Sequence, residues 1–147
     1  MIKKAIILCG GTGSRMFPAT KTTNKQLLPV YDKPMFYYPL SLLMLVGIKN
    51  YLFIINKGQK KNFLKSIGST KDLGINIEFK EQDKPNGLPE AFILGEKFIG
   101  KDSVLMILGD NFFYGNMLSP VIKKTLSIKN GANIYLYPSK NTSSYGV

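Results

Sequence analysis

Three continuous apolar runs, each closed by glycine or polar residues, constrain this chain more than any other feature. Residues 5–9 read AIILC, residues 51–55 YLFII and residues 104–108 VLMIL. Runs this short, with no polar alternation, predict strands covered on both faces, as in parallel sheets. Residues 75–79, INIEF, alternate and predict a strand with one wet face, and residues 132–137, ANIYLY, are a further strand candidate. Between them lie helical segments: 35–46 is densely apolar, and 59–67 sets Phe63, Leu64 and Ile67 on one face. Residues 88–98 space Leu88, Ala91, Phe92 and Gly95 by three and four, and 118–128 is the weakest case. Strand and helix therefore alternate, which predicts a three-layer α/β architecture with a mainly parallel sheet. A length of 147 residues suits one domain, 1–147, with a core of its own.

Composition then narrows the chemistry. The chain has no histidine and a single cysteine, Cys9. An intramolecular disulfide is thereby excluded, a zinc site has almost no ligands, and the commonest general base is missing. Any chemistry must rest on positioning and charge. The net charge of +11 raises a nucleic-acid reading. Against it, the lysines are scattered, Arg15 is the only arginine, and no helix-turn-helix, RNP or zinc-finger pattern is present. No nucleic-acid partner is expected, and a basic surface suits a polyphosphate ligand equally well. Residues 35–48 are the most apolar but too short to cross a bilayer, and they contain Pro39 and Gly47. No export signal precedes the first strand, so a cytoplasmic protein with no membrane partner is expected.

In an open parallel sheet, ligands collect beyond the carboxyl ends of the strands. Three predicted strands end in suggestive sequence: GGTGSR after the first, NKGQ after the second, GDN after that of residues 104–108. Gly10, Gly11 and Gly13 would let backbone N–H groups face phosphate oxygens, and Arg15 would add a forked cation of fixed charge. A tight surface turn with a solvated arginine explains the same residues. Lys25 lies on the irregular segment 10–32 and is a second candidate cation. Asp110, beside Gly109, is placed to hold a hard cation such as magnesium through oxygen, or else to form an Asx turn. Gln82, before the PNG turn, carries an amide able to pair with a pyrimidine edge; a solvated glutamine is its plain alternative. Together, a phosphate cradle, two cations, a metal carboxylate and no histidine describe phosphoryl or nucleotidyl transfer.

These residues resemble a known family. GGTGSRMFPAT followed by NKQLLPVYDKPMFYYPL is similar to the signature of sugar-nucleotide pyrophosphorylases. GLPEAFILGEKFIG, LGDNFFYG and the terminal SSYGV match in the same order. KQLLP and GDN favour the thymidylyl branch over the uridylyl branch. The resemblance implies a Rossmann-like nucleotidyltransferase fold that makes dTDP-glucose from dTTP and glucose 1-phosphate with Mg2+. It implies that Gly10, Gly11, Gly13 and Ser14 wrap the nucleotide and that Arg15 and Lys25 hold its phosphates. Asp110 would bind magnesium, Gln26 and Gln82 would read the thymine, and Gly87 would pack against the nucleoside. Leu108, Asn111, Tyr145 and Gly146 would line the sugar-phosphate side.

Cys9 and Ser14 stand where the family more often has alanine and threonine, mild changes of size. Length is the larger departure, because the resemblance covers only the N-terminal half of the family's chains. The other half is expected to carry a second metal carboxylate, the sugar-phosphate ligands and the homo-oligomer interface. Impaired turnover is therefore expected, with a catalytically dead nucleotide-binding fragment as the alternative. An uncovered strand edge and helix face predict self-association.

Overall fold

The computed structural model describes residues 1–136 and 138. Its strands are β1 (Lys4–Cys9), β2 (Pro29–Val30), β3 (Lys33–Pro34), β4 (Asn50–Asn56), β5 (Asn76–Gln82) and β6 (Val104–Leu108). Its helices are α1 (Tyr37–Leu45), α2 (Lys60–Ile67), α3 (Glu90–Leu94), α4 (Glu96–Ile99) and α5 (Leu118–Thr125). Strands β2 and β3 form a small antiparallel hairpin; the other four make one parallel sheet in the order β5-β4-β1-β6. Cys9 stands opposite Ile55 of β4, and Leu8 opposite Leu108 of β6.

Successive strand residues point to opposite faces, and both faces are buried as the unbroken apolar runs require. Ala5, Ile7, Cys9, Phe53 and Ile55 meet Leu40 and Leu43 of α1, Phe63 and Ile67 of α2 and Ile122 of α5. Ile6, Leu52 and Ile54 meet Ala91, with Leu94, Phe98 and Ile99 of α3 and α4 packed around them. Helices thus cover both sides, and the expected three-layer α/β fold is the one formed. Among the described residues, no helix is long and apolar enough to cross a membrane.

Two expected elements differ. The helix anticipated over residues 88–98 is two short helices joined at Gly95. A Cβ there would lie 3.0 Å from Ile6 Cδ1 and 3.2 Å from Leu52 Cδ2, so the missing side chain lets the segment approach the sheet. The strand anticipated at residues 132–137 does not form over 132–136, and Tyr137 lies outside the described residues. Ile134 and Leu136 remain largely exposed there. Alternating apolar residues make a strand only where a ladder partner and a face await them, and the described residues 132–136 pair with no strand.

The chain leaves β1 through α1 to reach β4 on one side, and returns from β5 through α3 and α4 to place β6 on the other side. Connections therefore diverge between β1 and β6. Beyond the carboxyl ends of such a pair, a sheet opens a crevice suited to a ligand.

Candidate nucleotide site

That crevice holds a cavity of about 260 Å³ lined by residues 10–16, Lys25, Gln26 and Asp110. The glycine turn after β1 and the carboxylate after β6 thus face one space. Gly11 (φ 102°) and Gly13 (φ 62°) take left-handed backbone conformations that side chains rarely adopt. Gly13 opens a single 3-10 turn, Ser14–Met16, which carries Arg15 into the cavity wall. Gly10 answers a different demand. Gln82 is the last residue of β5, and a Cβ at Gly10 would overlap its amide nitrogen.

Neutral polar side chains hold the turn from behind. Asn24 Nδ2 donates to the Cys9 carbonyl at 2.9 Å, and its Oδ1 accepts from Gln26 N–H at 3.0 Å, capping the 3-10 turn Lys25–Leu27. Thr20 Oγ1 donates to the Gly13 carbonyl at 2.8 Å. Asn56, at the end of β4, donates from Nδ2 to the Gly11 carbonyl at 2.7 Å and accepts from Gly11 N–H at 3.0 Å. All three lie in stretches noted in the sequence, GGTGSRMFPAT, NKQLLP and NKGQ, but none is assigned a role there, because an asparagine or threonine that fixes a backbone carbonyl looks like any loop residue.

Lys25 and Asp110 meet at 2.6 Å, Nζ to Oδ2, across 85 residues of sequence. Each side chain keeps nearly a third of its surface exposed, so the pair borders the cavity and can reorganise around a ligand. Gly109 brings this carboxylate in close: a Cβ would sit 2.5 Å from Cys9 Sγ and 3.2 Å from the Leu8 carbonyl oxygen. Burial of Cys9, and then the neighbouring Asp110 charge, push its thiol well above the ordinary range. Cys9 is therefore a neutral packing residue near pH 7. Gln26 is buried on the cavity wall, and its Oε1 is the buried side-chain acceptor left without a hydrogen bond among the described residues. An orphaned buried acceptor of this kind is normally satisfied by a ligand or water.

Of the other expected residues, those that are described stand apart from the cavity wall. Gln82 is no solvated loop residue: it is buried against Gly10, behind the turn. Gly87 lies on an exposed turn with φ 98°. Leu108 closes β6, its carbonyl accepting from Asn111 N–H at 3.2 Å, and neither residue lines the cavity. Tyr145 and Gly146 lie outside the described residues. A smaller cavity of about 180 Å³ adjoins the back of the turn, between residues 20–24, Asn56 and Gln59.

A glycine turn folded over the diverging strands of a parallel sheet is the arrangement of a wide class of phosphate-binding α/β domains. Known sequences narrow that class: the chain belongs to the nucleotidyl transferase family, whose model matches residues 4–147. A glucose-1-phosphate thymidylyltransferase of Neisseria meningitidis serogroup A is 47% identical over 144 residues, covering 98% of this chain and 50% of the relative. One of Mycobacterium tuberculosis matches at the same identity and coverage. Among solved structures, one from Bacillus anthracis, described under the same activity and crystallised with a sucrose, superposes with TM-score 0.75 at 39% identity. The match covers 82% of this chain and 49% of that one. A UDP-glucose pyrophosphorylase complexed with UDP-glucose gives TM-score 0.70 at 27% identity over 86% of this chain and 53% of that one. The chain spans about half the length of the relatives it matches.

Proposed function

We propose that this chain forms the nucleotide-binding half of an enzyme that transfers dTMP from dTTP to glucose 1-phosphate, yielding dTDP-glucose and pyrophosphate. The observation that carries the reading is the meeting of Arg15, Lys25 and Asp110 at one cavity beyond β1 and β6. Relatives named for this activity supply the substrates.

In the proposed reaction, an oxygen of the glucose 1-phosphate monoester attacks the α-phosphorus of dTTP. The bond from that phosphorus to the bridging oxygen breaks, and pyrophosphate leaves with its electrons. The attacking oxygen is already anionic near pH 7, so a chain without histidine needs no general base. Arg15 grips phosphate oxygens with a charge that does not titrate, and Lys25 offers a compact second cation. Thr12, Gly13 and Ser14 line the cavity, and their backbone N–H groups are not taken up by the turn's own bonds, from Met16 and Phe17. Gln26 Oε1, an acceptor in need of a donor, suits a hydroxyl or imide N–H of the nucleoside.

A divalent metal fits here. No group of three metal-ligating side chains exists among the described residues. Magnesium, however, is commonly held by one or two carboxylates with phosphate oxygens and water completing the shell. Asp110 would supply that carboxylate, exchanging its contact with Lys25 for the ion, and magnesium when bound neutralises charge on the phosphates. Gln82 and Gly87 would serve the base, and Leu108, Asn111, Tyr145 and Gly146 the sugar phosphate. A cytoplasmic setting, with dTTP at hand, and assembly into a homo-oligomer belong to the same proposal.

A nucleotide-binding module without turnover is the second reading. It is favoured by Leu108 and Asn111 standing off the cavity wall. Incubation with dTTP, glucose 1-phosphate and magnesium, following pyrophosphate release beside a dTTP titration, separates the two. Release with binding supports the enzyme. Binding alone supports the module, and absence of both removes the nucleotide site.

A further inference from the structure

The glycine turn is a flexible sequence doing a task that needs rigidity. Four residues, GGTG, separate Cys9 from Ser14, and glycine loses more backbone freedom on ordering than any other residue. Left alone, a peptide plane in such a turn can rotate and present its carbonyl oxygen, a negative dipole end, where phosphate should sit. Alternate carbonyls along the turn, those of Cys9, Gly11 and Gly13, are instead each taken by a side-chain donor: Asn24, Asn56 and Thr20.

Of these contacts, that of Asn56 is distinct. Asn24 and Thr20 each hold the turn through one bond to a carbonyl, whereas Asn56 takes both the N–H and the carbonyl of Gly11. The β1–β4 ladder ends at the pair Cys9 and Ile55. One residue further along β4, the Asn56 carboxamide acts as one more peptide unit of that ladder and extends the sheet's register into the turn. The clamp spans 45 residues of sequence. It also removes Gly11 N–H from the donors available to a ligand, so Thr12, Gly13 and Ser14 are left as the backbone donors of the turn.

Resting on the nucleotide reading above, we infer that Asn56 is the positioning residue of the phosphate cradle. It never touches the triphosphate, but it fixes the orientation of the Gly11 peptide planes, and its amide, not its size, is what matters. A residue of the same shape that lacks the donor must fail. Asn56→Asp keeps an acceptor for Gly11 N–H but turns a second oxygen toward the Gly11 carbonyl, so it cannot hold the same orientation.

The test uses the full chain and compares wild type, Asn56→Ala, Asn56→Asp and Lys4→Ala. Lys4→Ala serves as a control that loosens the fold far from the turn. Each variant is titrated with dTTP, its thermal midpoint is read without nucleotide, and exchange of the Gly11 amide is followed. The expected result is a dTTP affinity roughly tenfold weaker in both Asn56 variants, the scale of one or two lost hydrogen bonds. Gly11 exchange should rise in both, and Lys4→Ala should leave affinity intact despite a lower midpoint. Wild-type affinity in either Asn56 variant overturns the inference. So does an affinity loss in Lys4→Ala that matches its midpoint in the same proportion, since the effect would then be general softness. If wild type itself fails to bind dTTP, the nucleotide reading falls instead, and the clamp loses its role with it.

Discussion

The two walls of the crevice are built differently. Beyond β1, three buried or half-buried polar side chains fasten the turn, each bonding a backbone group, with Asn56 reaching across from β4. Beyond β6, Asp110 is held close by Gly109, but the following residues 112–117 run outward: Phe112 and Phe113 are about half exposed, and Tyr114 and Met117 more so. Phe112 finds one neighbour, the Tyr38 ring at 4.5 Å. A wall that must present backbone donors to phosphate needs each peptide fixed. A wall that offers one carboxylate needs only that residue held. On the proposed reading, the nucleotide would sit against the β1 side, and the β6 side would be left for the acceptor.

The largest expected effect breaks the first wall. Arg15→Ala should weaken dTTP binding by about ten- to a hundredfold, as loss of a charge-assisted contact does, while Lys84→Ala should leave it unchanged. Equal effects in a calorimetric titration would mean that the cradle is misplaced.

Next is the point where the walls touch. Gly109→Ala drives a methyl group against Cys9 Sγ and the Leu8 carbonyl, and should cost about 1–3 kcal/mol in denaturant unfolding. An unchanged unfolding midpoint would show that β6 is not seated against β1 as described.

A smaller effect is expected away from the site. Lys4 Nζ donates to the carbonyls of Phe98 at 2.7 Å and Ile99 at 3.2 Å, capping α4, and pairs with Asp102 at 2.7 Å. Lys4→Ala should lower the thermal midpoint by a few degrees. The hydrogen bond from Lys4 holds the Asp102 carboxyl below its ordinary range. A depressed carboxyl contributes stability above the unfolded carboxylate range and loses it as pH falls through the depressed folded value. The stability difference between wild type and Asp102→Asn should therefore be constant at neutral pH and vanish in acid. A difference that grows in acid would contradict the assignment. The smallest effect lies on the outer wall: Tyr114→Ser, at a fully exposed side chain, should shift neither the melting midpoint nor dTTP affinity.

Much of this was legible in residue order. The unbroken apolar runs encode strands covered on both faces, and three of them emerged within a residue of their expected bounds at the start or end. Glycines with Arg15 after one strand, and GDN after another, read as candidate site residues, and the structure brings Gly10, Gly11, Gly13, Arg15 and Asp110 to one cavity. What stayed hidden depends on distance in space. Lys25 and Asp110 were separate candidates, and nothing in either stretch shows that one contacts the other. Asn24, Asn56 and Thr20 act by pinning backbone far away, and a neutral amide carries no sequence signal for that. For Gln82, placed in the sequence as a base-reading amide, the solvated alternative arises only because the strand of residues 75–79 is expected to stop three residues short of its end at Gln82. Residues 132–137 alternate like a strand, yet alternation cannot supply the partner strand.

The most direct test of the contrast is backbone hydrogen exchange with and without dTTP and magnesium. The account predicts slowed exchange across residues 10–16 and 24–26, with residues 112–117 unchanged. Slowing confined to residues 112–117, or to the lysine-rich surface of α2, would contradict it.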